Sequence, residues 1–461
     1  MLIRSRRDFI KAAVTSVGAL GAYSKFGAMN ALASTTAPYQ ALVCIYLAGG
    51  NDGHNMLIPI NAFCQSTQSQ QTYNLYAQAR GSLAQPLSAL QQIPNGSDAY
   101  GLHPLMPEVA NLYKAGNCAI MANVGMLVQP TTRQLFQSQN LAKLPAQLFS
   151  HSDQTNQWQS AIPNGSSPTG WGGRVEDNLQ SQYNAAASFT SITSTSGCGL
   201  FCTGQQTFAA TVPVGGASLL AGATTPARLN AVQQLMNFDN GLKLVQAANA
   251  TFNRGVGFST ALTNALKTVH LTSAFPSSSL GQQLLTVAQI IKIQQTLGVN
   301  RQIFFCQLGG FDTHGAQLAN QDPLLQQLSQ AIGAFYNCLS LELGQDKNVV
   351  TFTASEFGRT LQPNGNAGTD HAWGSHHLVF GTGAASGGPL YGGQIYGQFP
   401  SLILNGPDDA NNRGTLVPTT AVEQYAATLA QWFGVDPNNV NGLFPFVSNF
   451  QTNNLGFLNL S

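Results

Sequence analysis

The sequence predicts an α/β fold built on a mostly parallel β-sheet that helices cover on both faces. Short, almost continuous apolar segments recur along the chain, and segments with helical periodicity lie between them. Glycine-rich turns follow several of the apolar segments. Strands that are buried on both faces are apolar throughout, and parallel strands need long connections that are usually helical, so the three observations agree.

Five segments have the composition of buried strands. The first ends in a glycine turn that contains Asp52, and the third and fourth run into polar segments that contain Asp312 and Glu356. Ligands of such sheets bind beyond the carboxyl ends of the strands, so these three carboxylates are expected at one edge. The predicted strands are residues 40–48, 118–125, 302–310, 348–354 and 377–381.

Helical periodicity is clearest in residues 322–343, where apolar side chains recur at close to 3.6 residues, and residues 419–434 predict another helix. Residues 205–300 are interpreted as a mainly helical insertion in an α/β domain that spans residues 34–461. The Gln- and Ser-rich stretch 64–95 is interpreted as an exposed loop or excursion.

The N-terminus has the features of a twin-arginine signal peptide, which is assigned to residues 1–33. Arg6 and Arg7 lie in the pattern Ser-Arg-Arg-Asp-Phe-Ile-Lys, an Ala- and Gly-rich apolar stretch follows, and Ala31-Leu32-Ala33 matches a cleavage site. A short amphipathic helix with a basic patch is the alternative. The signal predicts export of the folded protein by the twin-arginine translocase, and therefore a periplasmic or secreted location.

Composition argues against some classes of partner. The formal net charge is +1, and only 8% of the residues are charged. This balance gives no indication of nucleic acid or an anionic membrane as a partner. Since no segment approaches about 18 continuous apolar residues, the mature protein is expected to have no membrane span.

Metal-binding residue types are concentrated in residues 309–377. The whole chain has 18 acidic residues and 8 histidines, and four of those histidines lie in this window. Carboxylate and imidazole ligands suit zinc, calcium, manganese or magnesium, so the window predicts a divalent-metal site. The candidate ligands are Asp52, Asp312, His314, Glu356, Asp370, His371 and His376.

Several candidates also have a structural interpretation. Asp52 suits a glycine turn whatever its function, and Asp312 could cap a helix that begins near Gln317. Glu356 could instead form an internal ion pair with Arg359.

The histidines of the last segment are less easily explained as structural residues. His371, His376 and His377 fall within seven residues of one another. Adjacent residues on an extended chain point to opposite faces, so His376 and His377 are not expected to bind one ion together. His376 is preferred, because His377 can begin the following strand.

Two polar segments supply candidate nucleophiles. Pro130-Thr131-Thr132-Arg133 follows the second strand, and a hydroxyl at a helix N-terminus beside an arginine suits attack on an anionic ester. An ordinary helix cap is the alternative for these threonines. Ser150-His151-Ser152-Asp153 has the residue types of a catalytic triad, but neighbours in sequence rarely have triad geometry. A polar loop is therefore favoured there unless the fold brings it beside the metal site.

The candidates for direct chemistry thus fall into two groups, nucleophiles and anion clamps. A hydroxyl would attack the ester or orient water, and an arginine would bind the anionic group through two parallel hydrogen bonds. The candidate nucleophiles are Thr131, Thr132 and Ser152, and the candidate clamps are Arg133 and Arg359.

Six motifs, occurring in order, resemble the bacterial family known as domain of unknown function 1501. They are the twin-arginine leader, LAGGNDG, FSHSDQ, GGFDTHG, SEFGRT and GTDHAWGSHH, and together they cover nearly the whole chain. That family is similar to the alkaline phosphatase and sulfatase superfamily. The resemblance implies a three-layer α/β/α sandwich of the alkaline-phosphatase type and an ancestry in metal-assisted ester hydrolysis.

The resemblance also implies roles for particular residues. In the superfamily the first strand ends in a metal-binding Asp before Gly, which Asp52-Gly53 matches. Thr131 or Thr132 before Arg133 resembles the Pro-Ser-Arg part of the sulfatase signature. No cysteine lies two residues before Pro130, so a formylglycine nucleophile is not implied.

The later ligands match the superfamily only in part. Asp312 and His314 resemble its Asp-x-His ligands. The superfamily has Ser-Asp-His-Gly after the next strand. At the corresponding place, residues 355–358 of this chain are Ser-Glu-Phe-Gly, so Phe357 replaces the histidine ligand. The resemblance implies that Asp370-His371 or His376 supplies the replacement.

Together, the residues and the resemblance predict a metal-dependent hydrolase that acts on a small anionic ester of phosphate or sulfate. The alternative is a non-catalytic binding or scaffold protein on a degenerate hydrolase fold, which the phenylalanine at position 357 motivates.

Overall fold

The computed structural model describes residues 38–197, 199–215, 225–238 and 241–460. The predicted signal peptide, residues 1–33, lies outside these residues. Within the described ranges, no helix combines the length and the apolar character that crossing a bilayer requires.

A nine-stranded sheet forms the centre of the fold, and a four-stranded sheet lies beside it. The strands of the described residues, numbered β1 to β13 in chain order, are Gln40–Ala48, Leu57–Cys64, Ser69–Thr72, Gln91–Asn95, Asp98–Leu102, Cys118–Gly125, Ile192–Ser194, Ala210–Thr211, Arg301–Gly309, Val349–Ala354, Ser375–Phe380, Ile395–Tyr396 and Thr420–Ala421. The central order is β12-β6-β11-β10-β1-β9-β7-β8, with β13 also paired to β6. All of these pairs are parallel except the two that β11 makes with β10 and β6.

The five predicted strands correspond to β1, β6, β9, β10 and β11. Side chains of β1 alternate between two separate cores, with Val43 and Ile45 in one and Leu42 and Cys44 in the other. Both faces of the strand are therefore buried, which explains why its sequence is apolar throughout.

Helices cover both faces of the central sheet. Ser279–Lys292 and Gln317–Asn337 contribute to the core on the side of Val43, whereas Trp171–Tyr183 and Val422–Phe433 contribute to the opposite core. The predicted α/β/α sandwich is thus confirmed. Among the residues that the structure describes, the α-helices are Gly53–Met56, Tyr73–Arg80, Pro107–Lys114, Arg133–Gln137, His151–Ser160, Trp171–Tyr183, Pro226–Met236, Lys243–Leu266, Ser279–Lys292, Gln294–Leu297, Gln317–Asn337, Val422–Phe433 and Val440–Leu443.

The prediction of an exposed loop over residues 64–95 is wrong. This region contains β3, the helix Tyr73–Arg80 and β4, and it belongs to an antiparallel sheet of order β3-β2-β5-β4. Ile93 and Tyr100 of this sheet are buried in the main core, while Ser69 and Gln70 face solvent. The outward polar residues give the stretch its loop-like composition.

The predicted helical insertion divides into two parts. Helices Pro226–Met236 and Lys243–Leu266 lie mostly at the surface, whereas Ser279–Lys292 is buried against β9. The last helix therefore belongs to a layer of the sandwich.

Glu423 is a buried acid whose ionisation should weaken the fold. One oxygen accepts a hydrogen bond from the Phe446 amide at 3.2 Å, and the other has no hydrogen-bond partner. Burial raises the pKa of Glu423 to about 8. The ordinary pKa of a glutamate is about 4.3. Between that pH and the raised pKa, the folded state therefore keeps a proton on Glu423 that the unfolded chain has released.

Glu423→Gln should therefore gain stability relative to the natural chain as pH rises. The contribution of protonated Glu423 is fully present below about pH 4.3 and is lost as pH approaches 8, at about 1.4 kcal/mol per pH unit at most. We expect the difference in free energy of unfolding to move in favour of the variant by roughly 3 kcal/mol between pH 5 and 8. Urea unfolding of both proteins at several pH values measures it, and a pH-independent difference would contradict the assignment.

Candidate metal centre

The carboxyl ends of three adjacent strands bring the candidate residues together. Strand β1 lies between β10 and β9, so the turn after β1 meets the segments that hold Glu356 and Asp312. The Gly49 amide donates to Glu356 Oε1 at 2.8 Å. Gly49 has φ of 120°, and a Cβ there would lie 2.3 Å from the Asp312 nitrogen, so only glycine permits this close approach.

Three imidazole rings surround one carboxylate oxygen at this edge. Asp312 Oδ1 lies 3.1 Å from His314 Nε2 and 3.5 Å from the Nε2 atoms of His151 and His371. His314 Nε2 and His371 Nε2 are 2.9 Å apart. One atom from each of His151, Asp312 and His371 forms a set whose members all lie within 4.8 Å of one another.

The opposite nitrogen of each ring contacts an oxygen atom. His371 Nδ1 lies 2.7 Å from the Phe149 carbonyl oxygen, and His151 Nδ1 lies 2.9 Å from Glu356 Oε1. His314 Nδ1 lies 3.3 Å from Asp370 Oδ1. A carbonyl or carboxylate oxygen can only accept, so each Nδ1 carries a proton, and each ring directs its Nε2 atom toward Asp312.

When the Nε2 atoms carry no proton, three imidazole lone pairs and a carboxylate would repel one another, and a cation among them would relieve that repulsion. His151 Nε2 is buried and has no hydrogen-bond partner. In a tetrahedral site with Zn–N bonds of about 2.0–2.1 Å, two ligand nitrogens lie about 3.3 Å apart; the Nε2 atoms of His314 and His371 are 2.9 Å apart. His151, Asp312 and His371 therefore fit a divalent cation, with His314 Nε2 beside them.

The protonation of the centre also suits a cation. Burial disfavours the charge on Asp312, but the hydrogen bond and charge of Arg359, with the nearby imidazoles, hold the pKa of Asp312 below its ordinary value. Burial, followed by the charge of Arg359, lowers the pKa of His371. The Asp312 side chain is 50% exposed and that of His314 is 46% exposed, so the centre is open to solvent on one side.

Glu356 and Asp370 orient the histidines in this arrangement. Glu356 is buried, and its Oε1 accepts from both the Gly49 amide and His151 Nδ1. Asp370 contacts His314 Nδ1, while its other oxygen lies 2.6 Å from Arg413 Nη1. Carboxylates that hold the far nitrogen of a metal-binding histidine fix its tautomer and orientation.

Asp52 lies outside the cluster of imidazoles. Its Oδ1 accepts from the His54 amide at 3.0 Å, and its Oδ2 accepts from Arg80 and Gln317. Asp52 and Arg80 both have fully buried side chains. The carboxylate that the sequence assigned to the metal is thus part of a buried ion pair, and its oxygens are occupied by protein donors.

His376 also lies elsewhere, in the interior of the sheet. Its Nδ1 accepts from the Asn123 amide at 3.1 Å, and its ring stacks on Phe399 with centroids 5.3 Å apart. The side chain of His376 is buried, and burial holds its pKa well below the ordinary value. Its position in β11, which pairs with β6, directs the ring into the core.

The Thr131-Thr132-Arg133 segment has local structural contacts. The Thr131 hydroxyl donates to the Gln129 carbonyl at 2.8 Å, and the Thr132 hydroxyl caps the helix Arg133–Gln137 by accepting from Leu135. Arg133 donates to Gly406, Asn405 and Asn412. These contacts fix a surface loop, and none of them involves a residue of the metal centre.

Arg359 is a fully buried supporting residue. Its guanidinium donates to the carbonyl oxygens of Gly49, Gly50 and Thr369 and to Asp312 Oδ1. All three guanidinium nitrogens are thus engaged by the protein. Arg359 holds Asp312 and the glycine turn in place and has little capacity left for an anionic substrate.

His151 is the candidate ligand that the sequence did not identify. It is the first residue of the helix His151–Ser160, whose N-cap is Ser150, and this helix begins beside the cluster. The sequence did indicate the polar segment around Ser152 as a possible site. That segment could be linked to the metal site only once the fold had placed it beside the strand ends. Ser152 Oγ lies 3.3 Å from Asp153 Oδ2.

Phe357 packs against two of the three imidazole rings. Its ring lies 4.8 Å from the ring of His151 and 4.7 Å from that of His371, measured between centroids. A phenyl ring here packs against the imidazoles and supplies no ligand. The arrangement therefore fits one cation better than two.

Comparison with known proteins gives a family for the chain. A family profile described as "Protein of unknown function (DUF1501)" matches residues 39–441. None of the curated proteins compared matches the chain.

Solved structures that match the chain share little sequence with it. Ps i-CgsB in complex with k-i-k-neocarrahexaose is 11% identical, covering 90% of this chain and 77% of that one, with a TM-score of 0.34. The C-terminal periplasmic domain of EcEptC from Escherichia coli is 10% identical, covering 87% and 84%, with a TM-score of 0.33. The PsFucS1 sulfatase from Pseudoalteromonas sp. is 10% identical, covering 88% and 75%, with a TM-score of 0.30. At such low identity, no residue's role is transferred from them.

Proposed function

We propose that the chain, which belongs to the DUF1501 family, is a metal-dependent hydrolase of phosphate or sulfate esters, because three imidazole Nε2 atoms converge on one carboxylate. The convergence of His151, His314 and His371 on Asp312 Oδ1 is the observation that carries the proposal. A bound divalent cation would act there as a Lewis acid on an oxygen of the ester. Zinc, manganese, calcium and magnesium remain the candidate ions, and the open side of the centre would admit the substrate.

We propose Arg413 as the residue that recognises the anionic group. Its Nη1 is held 2.6 Å from Asp370, while its Nε and Nη2 have no acceptor among the described residues. The Arg413 side chain is 42% exposed, unlike that of Arg359, which is fully buried. A guanidinium that is anchored at one nitrogen and open at the others suits bidentate binding of a phosphate or sulfate.

Arg413→Ala should raise KM for an anionic ester by about 10- to 100-fold, since a hydrogen bond to a charged group contributes roughly 1.5–3 kcal/mol. Arg413→Lys should recover only part of this loss, because lysine keeps the charge without the fork of donors. Steady-state kinetics with metal analysis of each variant measures the effect. An unchanged KM in the alanine variant would exclude Arg413 as the anion-binding residue.

Ser152 is the proposed nucleophile. It lies in the first turn of the helix that begins beside the cluster, where the helix dipole favours an anionic group. Its oxygen would form a bond to phosphorus or sulfur as the bond to the leaving oxygen breaks, and water would then hydrolyse the Ser152 ester. Asp153 Oδ2, 3.3 Å away, is placed to accept the hydroxyl proton, and the leaving oxygen takes up a proton from solvent.

Ser152→Ala should lower kcat by about 1,000-fold or more, as expected when a nucleophile is removed, while the metal content stays unchanged. Thr132→Ala serves as the matched control, because that hydroxyl caps another helix and should leave kcat within about twofold. If Ser152→Ala retains full kcat, water attacks the ester directly.

The activity itself is tested with purified protein on a panel of aryl phosphates and aryl sulfates. We expect turnover of at least one class, loss of turnover after chelation, and recovery when a divalent cation is added. A protein that carries no metal after reconstitution, and hydrolyses neither class, would refute the proposal.

A non-catalytic binding protein is the second candidate function, and Phe357, which packs against the imidazoles at a position where a metal ligand was expected, is the observation that favours it. The variant with both Asp312 and His314 replaced by alanine separates the two functions. A folded variant that loses turnover identifies an enzyme, whereas one that keeps the biological activity of the natural chain identifies a binding protein.

The proposed location is the periplasm or the cell exterior, reached by the twin-arginine translocase. The pattern of residues 1–33 supports it. Replacing Arg6 and Arg7 together by lysine should retain the protein in the cytoplasm, which fractionation measures.

A further inference from the structure

A cavity of about 710 Å³ lies in the segment that leads into the metal centre. Phe136, Leu144 and Leu148 line it together with glutamines such as Gln147, and none of its lining side chains, all among the described residues, is charged. Largely apolar cavities of about 300–1,000 Å³ are typical of small-molecule sites. The roles proposed so far leave this cavity unused.

Phe149 connects the cavity to the cation ligands. Phe149 is the next residue in sequence after Leu148, which lines the cavity. The Phe149 carbonyl oxygen contacts His371 Nδ1 at 2.7 Å. The Phe149 ring contacts the ring of Phe136, which in turn lies 5.6 Å from that of Trp373. Phe149, the neighbour of a lining residue, therefore joins the cavity wall to His371.

The cavity segment has unusual backbone conformations. Gln139, Gln147 and Phe149 have φ values of 53°, 49° and 72°, in the left-handed region that such residues rarely adopt. Conformations of this kind cost about 1–3 kcal/mol each and concentrate at ligand-binding sites. Three within eleven residues indicate a segment shaped for a ligand rather than for stability.

We propose that this cavity binds the apolar part of the ester substrate, and that the enzyme prefers esters with an alkyl or aryl chain. The inference rests on the proposed function, since it places the anionic group at Arg413 and the cation ligands. A second charged group would lose its hydration in the uncharged cavity, whereas an apolar chain gains by burial.

The test is a series of n-alkyl esters from ethyl to octyl, of the phosphate or sulfate class that the protein hydrolyses. Each buried methylene should raise kcat/KM about three- to fourfold, and the octyl ester should exceed the ethyl ester by at least about 100-fold. Rates that do not depend on chain length would overturn the inference while leaving the proposed hydrolase intact.

Leu141→Asp places a charge in the cavity lining at a side chain that is 79% exposed, so folding should tolerate it. This variant should reduce the ratio of octyl to ethyl kcat/KM by about tenfold or more. The matched control is Leu244→Asp, at an 86% exposed leucine that does not line the cavity, and it should leave the ratio unchanged. Equal effects of both variants would contradict the assignment.

Binding of non-hydrolysable alkylphosphonates tests the cavity if no ester is hydrolysed. Calorimetry should then still show tighter binding of octylphosphonate than of ethylphosphonate, with the difference reduced in Leu141→Asp. Equal affinities for the two phosphonates in the natural chain would refute the cavity assignment without reference to turnover.

Discussion

His371→Ala should reduce the bound divalent cation from about one per chain to less than 0.1 and lower kcat/KM by about 1,000-fold or more. The change removes one of three Nε2 atoms that converge on Asp312. Loss even of a residue that only orients a ligand costs about 10- to 100-fold in metal affinity, and loss of a ligand should cost more. Elemental analysis after dialysis against a weak chelator, followed by kinetics, measures both effects.

His270→Ala is the matched control for this variant. His270 lies outside the cluster, and its backbone carbonyl accepts from Lys292 at 3.0 Å, a contact that the substitution leaves intact. The control should keep its cation and its activity. Retention of a full complement of cation by His371→Ala would remove His371 from the centre.

Arg80→Met should cause the largest loss of stability. Arg80 donates to Asn55, to the carbonyl oxygens of Thr360 and Leu361, and to Asp52, with no exposure to solvent. Removing one partner of a buried ion pair leaves an unpaired charge and costs about 3–5 kcal/mol. Urea unfolding monitored by circular dichroism measures this loss.

An exposed ion pair provides the comparison. Arg413→Met breaks the contact with Asp370, whose side chain is 34% exposed, and should cost at most about 1 kcal/mol. Folded Arg80→Met protein should also keep its cation, because Asp52 binds protein donors in this structure. If the Asp52→Asn variant keeps its fold but loses the cation, Asp52 is a metal ligand and not only a partner of buried protein donors.

The sequence predicted the sheet well because strands buried on both faces carry a continuous apolar signal. Strands β1, β6, β9 and β10 were predicted to within about one residue. The small sheet that begins at Leu57 was missed because β3 and β4 each place one buried residue, Gln71 and Ile93, among more exposed residues that are mostly polar.

The candidate site was predicted only in part. Asp312, His314 and His371 meet because strand ends converge at one edge, which the periodicity of the sequence implies. His151 could not be assigned, because nothing in its local sequence shows that its helix begins beside that edge. Asp52 could not be excluded, because its partner Arg80 lies 28 residues away in a segment interpreted as loop.

Anomalous diffraction from crystals of the protein loaded with Zn²⁺ is the most direct test of the proposed metal centre. We predict a single strong peak about 2.0–2.2 Å from the Nε2 atoms of His151 and His371 and from a carboxylate oxygen of Asp312, with His314 completing the site. A peak at Asp52 or His376, or no ordered zinc among these imidazoles, would contradict the assignment of the metal centre.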